Sequence, residues 1–178
     1  MAEPETDRQL VEQVLRGRTE AFNLLVWRWQ RPLYNFLRRL TGDPDHALDL
    51  CQEAFLRAYT RLRDLREQDK FASWLFRIAA NLYHSDRRRR FPGEEVGSED
   101  SALLGAANLS GPGAARETQL SLRALIAGLP AEQREVLLLK VYHGFRFQEI
   151  ASILDCPVST IKSRLYKAFQ QLRAGLKS

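Results

Sequence analysis

The 178-residue chain is 44% hydrophobic and 28% charged, with a formal net charge of +5, ordinary for a folded protein of one medium or two small domains. Only two cysteines, Cys51 and Cys156, and an opening MAEPETD without a cationic-then-apolar leader argue against secretion and a disulfide scaffold, so a cytoplasmic location is expected. No apolar run approaches the roughly 20 residues a spanning helix requires, so no membrane insertion is expected.

Leu, Ala, Arg, Gln and Glu recur in long stretches while Val and Ile are sparse, which predicts an all-α fold. From Thr6 to Arg90 the helical period is interrupted only at Gly17, at TGDPD (Thr41 to Asp45) and at RDLREQDK (Arg63 to Lys70), giving about four helices. Thr6, Thr19 and Asp43 stand just before periodic runs and are predicted as N-caps. Pro32 lacks an amide donor and is expected to kink or break the second run.

Between Asp45 and Leu62, Ala47, Cys51, Ala54, Phe55, Ala58 and Leu62 form a core stripe. Asp49, Gln52, Glu53 and Leu56 lie opposite, a mixed acidic, amide and apolar face suited to a protein partner, although an ordinary solvent-facing surface explains the pattern equally well. In KFASWLFRIAANLYHSDRRRR, Lys70 to Arg90, the core stripe is Phe71, Trp74, Leu75, Ile78 and Leu82, with Arg77, Asn81, His84 and Arg88 beside it. Phe76 and Tyr83 fall outside the stripe, and exposed aromatics beside Arg and Asn suit single-stranded nucleic acid, stacking on bases while cations hold phosphate. Packing of the two aromatics against neighbouring helices, with Arg87 to Arg90 as a solvated last turn favoured by the helix dipole, is the competing reading.

Composition shifts after Phe91. Residues 92–117 are rich in Gly, Ser, Ala and acid and are predicted to be a flexible linker between an N-terminal domain, 1–91, and a C-terminal one, 118–178. The second block is punctuated at Gly128-Leu129-Pro130, His143-Gly144 and Asp155-Cys156-Pro157, which predicts four further helices. Ile150, Ile153 and Leu154 precede the last turn, and Ile161, Leu165, Ala168, Phe169 and Leu172 follow it on one stripe. Small Ala151 permits a close crossing and Pro157 fits a first helical position, so the pattern is a helix-turn-helix. Thr160, Ser163, Arg164, Lys167 and Gln171 share the face away from the stripe, a face that can enter a major groove, where Arg bonds guanine edges in bidentate fashion. Cys156 reads as a small apolar turn residue. It has no Cys or His partner at a zinc-finger spacing, so neither metal nor any other cofactor is expected.

Taken together, these segments resemble the bacterial extracytoplasmic-function sigma factors of the sigma-70 family. DLCQEAFLRAYTRL is similar to the family's polymerase-core-binding segment, FASWLFRIAANLYHSDRRRR to its downstream-promoter segment, and LPAEQREVLLLKVYHGFRFQEIASILDCPVSTIKSRLYKAFQQLR to its upstream-promoter domain. The resemblance implies a non-enzymatic specificity subunit that recruits RNA polymerase core to promoter DNA and helps open it. By it, Asp49, Gln52, Glu53 and Leu56 dock on the clamp helices of the largest polymerase subunit. Arg77, Asn81, Tyr83, His84, Arg87 and Arg88 engage the minus-ten element, where an extruded nontemplate base is captured at a cost of a few kcal/mol. Ser159, Thr160, Lys162, Ser163, Arg164 and Lys167 read the minus-thirty-five duplex, and a cognate anti-sigma protein is a further implied partner. Leu48, Cys51 and Asp155 depart from the commonest family residues. An autonomous helix-turn-helix regulator is the main alternative, but it leaves the Gln52-Glu53 surface and the Arg-Asn-aromatic stripe unexplained. An enzyme is disfavoured by the lack of a nucleophile-base pair, phosphate loop or paired carboxylates at a convincing spacing.

Overall fold

The computed structural model describes residues 5–91 and 122–176. The predicted linker, 92–117, lies outside the described residues. The first half comprises α1 (Asp7–Leu15), α2 (Ala21–Thr41), α3 (Pro44–Thr60) and α4 (Phe71–Arg90), with single 3-10 turns at Leu62–Asp64 and Gln68–Lys70. The second comprises α5 (residues 122–127), α6 (Ala131–Leu137), which continues into a wider π turn over Leu138–Tyr142, α7 (Phe147–Leu154) and α8 (Val158–Gly175).

Helix α1 starts in a reciprocal capping box: Gln9 N–H donates to Thr6 Oγ1 at 3.3 Å and Thr6 N–H to Gln9 Oε1 at 2.8 Å. Asp43 caps α3 by accepting the amides of Asp45 and His46 at 2.9 and 3.2 Å. Gly42, left-handed at φ 73°, closes α2 immediately before it, so α2 and α3 turn back on each other. Phe22 meets Tyr59 edge-on at one end of this hairpin, with ring centroids 5.0 Å apart. One local expectation fails, and of the two outcomes expected at Pro32 the break does not occur. Thr19 does not cap α2; its carbonyl accepts from Phe22 N–H within a backbone-bonded turn. Helix α2 runs unbroken through Pro32, whose missing amide removes one bond near the helix middle while Leu33, Phe36, Leu37 and Leu40 are anchored in the core.

The predicted core stripe of α3 is buried throughout, and that of α4 at Phe71, Leu75 and Leu82, with Trp74 and Ile78 half-buried. In the second half, α7 ends at Asp155, whose left-handed backbone (φ 51°, ψ 49°) turns the chain, and Cys156 N–H donates back to the Ala151 carbonyl at 3.1 Å. Asp tolerates that conformation better than most residues, so it stands where Gly is the commoner choice. Ile150 and Ile153 of α7 are buried with Ile161, Leu165, Ala168 and Leu172 of α8, the predicted helix-turn-helix. Pro157 takes the cap position of α8 rather than its first turn, and Phe169, expected on the apolar stripe, is half exposed.

The halves pack on each other. His143, just after the π turn, lies against Phe76 and Phe36 of the first half, with ring centroids 4.9 and 5.9 Å away, and Phe145 meets Phe76 edge-on at 5.0 Å. Arg39 of α2 stacks over the Tyr142 ring at 4.4 Å.

Candidate nucleic-acid and protein interfaces

On α3, Asp49, Gln52 and Leu56 are exposed, Leu56 by 60%. Glu53 shares their face but is engaged, its Oε1 accepting from Arg57 Nε at 2.7 Å one turn on. Leu48 is also exposed. The face therefore carries two large apolar groups among polar ones, a composition that favours a protein partner over bare solvent. Sequence reasoning missed Leu24 and Trp27 of α2, which are exposed by 49% and 75%. Their signal, a large residue off the helical stripe, is indistinguishable in sequence from partial burial.

On α4, Arg77, Asn81 and Arg88 are exposed and Arg87 half-buried. Of the two readings of the aromatics, packing against neighbouring helices holds, and Tyr83 is not available to stack on a base. Phe76 is fully buried among Phe36, His143 and Phe145, and Tyr83 is 6% exposed, its hydroxyl donating to the Leu40 carbonyl at 3.4 Å. A helical stripe locates one core face, and the second half supplies another that no period in α4 reveals. His84 is partly covered as well, its Nε2 3.3 Å from Oε2 of the buried Glu135 on α6. Burial pulls the His84 pKa down, but the hydrogen bond and charge of Glu135 outweigh it and leave it raised. At the end of the helix Asp86 pairs with Arg90 at 2.8 Å and with Arg89 at 3.5 Å, and lies 2.9 Å from His46 Nε2 of α3. The arginine run is thus partly neutralised from within.

On the second half, Ser159, Lys162, Ser163 and Lys167 of α8 are exposed, and Thr160 and Arg164 half-buried. Most of them border a groove to which α6 contributes Glu132 and Gln133, residues sequence reasoning passed over because an acid in a first helical turn already has a reason in the helix dipole. Arg164 is not a bare fork: its Nη2 lies 2.6 Å from Glu132 Oε2 and its Nη1 donates to Cys156 Sγ at 3.6 Å. Both thiols are free. Burial pushes Cys51 up to about 11 and also raises Cys156 despite the nearby Arg164, so neither has the depressed pKa of a nucleophile. Among the described residues no cluster of three or more His, Cys, Asp or Glu could hold a metal, and no helix is long and apolar enough to cross a membrane.

Comparison with known proteins accounts for both halves and their order. Residues 25–91 match the sigma-70 region 2 family and residues 119–172 the sigma-70 region 4 family. The chain is 33% identical to the RNA polymerase sigma-H factor of Pseudomonas aeruginosa, covering 99% of this chain and 96% of that one. It is 36% identical to the ECF RNA polymerase sigma-E factor of Escherichia coli K12, covering 94% and 93%. Among solved structures, the sigma factor RpoE of Bartonella quintana in complex with the anti-sigma factor NepR aligns with a TM-score of 0.70 at 25% identity, over 88% of this chain and 96% of that one. CnrH in complex with the cytosolic domain of CnrY aligns at 0.72 and 26%, over 97% and 98%. The all-helical fold, the helix-turn-helix and the sequence relationship over nearly the whole length agree: the chain belongs to the sigma-70 family as an extracytoplasmic-function sigma factor.

Proposed function

We propose that the first half docks on the clamp helices of RNA polymerase through Asp49, Gln52, Glu53 and Leu56, that α4 engages the minus-ten element, and that α8 reads the minus-thirty-five duplex through the groove bordered by Ser159, Thr160, Ser163, Arg164 and Lys167, with Lys162 beside it. The work is done in the cytoplasm, where promoter DNA and polymerase meet. The observation that carries this reading is the exposure of Arg77 and Asn81, one turn apart on α4 within the region 2 match. A cation and an amide at that spacing hold a phosphate and the edge of an unpaired base at once.

Arg87 and Arg88 extend the cationic side of this surface toward duplex DNA. Tyr83 supports the helix from beneath, bonded to α2, rather than stacking on a base. His84 becomes available only when α6 moves away, so minus-ten recognition requires the two halves to part. An anti-sigma protein that holds them together would keep the chain inactive. This is supported by the likeness, over both halves, to the sigma factor RpoE solved with the anti-sigma factor NepR.

The test compares Asn81→Ala and Arg77→Ala chains, reconstituted with polymerase core, on closed templates and on templates with an unpaired minus-ten segment. Loss on closed templates with substantial recovery on pre-opened ones supports a strand-opening role. Equal activity of variant and parent on closed templates contradicts it.

A further inference from the structure

Arg164 is placed where a duplex-reading residue belongs, yet its guanidinium is occupied from inside the protein. Nη2 reaches Glu132 Oε2 in the first turn of α6 at 2.6 Å, and Nη1 reaches the Cys156 sulfur in the turn between α7 and α8 at 3.6 Å. A bidentate contact to guanine needs two donors aimed together at one base edge, and here the two terminal nitrogens are directed at different elements of the fold. Both partners are only partly exposed, Arg164 by 24% and Glu132 by 33%, so the pair is better protected from solvent than an ordinary surface ion pair. By contrast, no hydrogen bond or ion pair to a described residue engages Ser163 or Lys167, both exposed on the same groove.

Glu132 also sets an electrostatic condition on the groove. An uncompensated carboxylate beside Ser159, Thr160, Ser163 and Lys167 would face the phosphates of any duplex lying against α8 and repel them. Arg164 neutralises it, and the three-way link among α6, the turn and α8 sets the angle at which α8 is presented.

We propose that Glu132 and Arg164 act together as a positioning pair for upstream duplex recognition, with Arg164 neutralising Glu132 and bracing α8 while Ser163 and Lys167 make the contacts that follow sequence and phosphate. The inference rests on α8 facing the upstream element. It adds a residue outside the recognition helix to that surface and changes the role of one within it.

The test uses the full chain with polymerase core and a promoter library randomised at the upstream element, comparing Arg164→Gln, Glu132→Gln, the double variant, and Lys167→Gln with and without Glu132→Gln. Arg164→Gln is expected to lower transcript yield about tenfold across all upstream sequences with their ranking unchanged. Adding Glu132→Gln restores part of the yield, because the exposed carboxylate is gone while the brace is still missing, whereas adding it to Lys167→Gln restores none. Glu132→Gln alone keeps side-chain volume and leaves Arg164 able to reach phosphate, so the salt dependence of promoter binding steepens by about one counterion. That measurement stands even if Arg164→Gln loosens the domain. Flattened preference at a single base pair in Arg164→Gln without rescue, or an unchanged salt slope in Glu132→Gln, overturns the proposal. Indifference of the parent chain to the upstream element would instead overturn the underlying assignment of α8.

Discussion

His84 Nε2 on α4 lies 3.3 Å from Oε2 of Glu135 on α6, joining a minus-ten candidate of the first half to a carboxylate of the second that is 2% exposed. A buried carboxylate is tolerated only when paired, so this contact supports the docked arrangement and covers the imidazole proposed to meet DNA. Replacing His84 by Gln is expected to loosen the docking of the halves by about 1–3 kcal/mol, the cost of a poorly satisfied buried acceptor. Energy transfer between dyes placed on α3 and α8 reads this as a longer mean separation, and an unchanged separation would contradict it.

The same interface is expected to respond to pH through two histidines of opposite sense. Burial among Phe36, Phe76 and Phe145, reinforced by Arg39, lowers the His143 pKa from 6.5 to about 4. As pH falls from 6.5 toward about 4, a released His143 binds a proton that the docked one does not, and docking weakens. The His84 pKa is raised in the docked form by Glu135, against burial and the charges of Arg88 and Arg87, so its contribution is complete below 6.5 and is lost as pH rises through the raised value. Docking is therefore expected to be strongest near pH 6.5. A separation that changes in one direction only, on both sides of that value, would rule this out.

Leu56 is 60% exposed on the face assigned to polymerase, so a substitution there leaves the core intact. Leu56→Asp is expected to weaken association with polymerase core by about 2 kcal/mol or more, as for an apolar anchor in a desolvated interface, with helicity unchanged. Fluorescence titration of labelled chain with core measures it, and unaltered affinity would make the face a solvent surface.

Asp155 holds a left-handed conformation at the helix-turn-helix turn. Asp155→Val should lower the stability of the second half by about 1–2 kcal/mol, since a β-branched residue is strained there, while Asp155→Gly should not lower it. Denaturant unfolding separates the two, and equal losses would show that the Asp side chain rather than the backbone matters.

Much of this molecule is legible in its sequence because helical periodicity is strong and the breaks between helices carry specific chemistry. Asp43 caps as its side chain dictates, and the Ile150-Ile153 and Ile161-Leu165 stripes meet across a turn too short for any other packing. Thr19 could not be read correctly, since the turn before α2 satisfies its amides with backbone carbonyls. The period of α4 leaves Phe76 and Tyr83 open between exposure and packing, because exposure depends on what covers a helix from outside, and their cover comes from α2, Phe145 and His143, remote in sequence. Glu132 was invisible for a related reason: its partner Arg164 is 32 positions away and looks, on α8 alone, like an unencumbered reader.

The central claim is that the chain directs polymerase to promoters rather than acting on DNA by itself. Purified chain, mixed with sigma-free polymerase core and a promoter library, is expected to yield specific initiated transcripts that depend on both upstream and downstream elements, with little tight binding to the same DNA when core is omitted. Tight, sequence-specific binding without core, and no initiated transcript with it, would contradict the account.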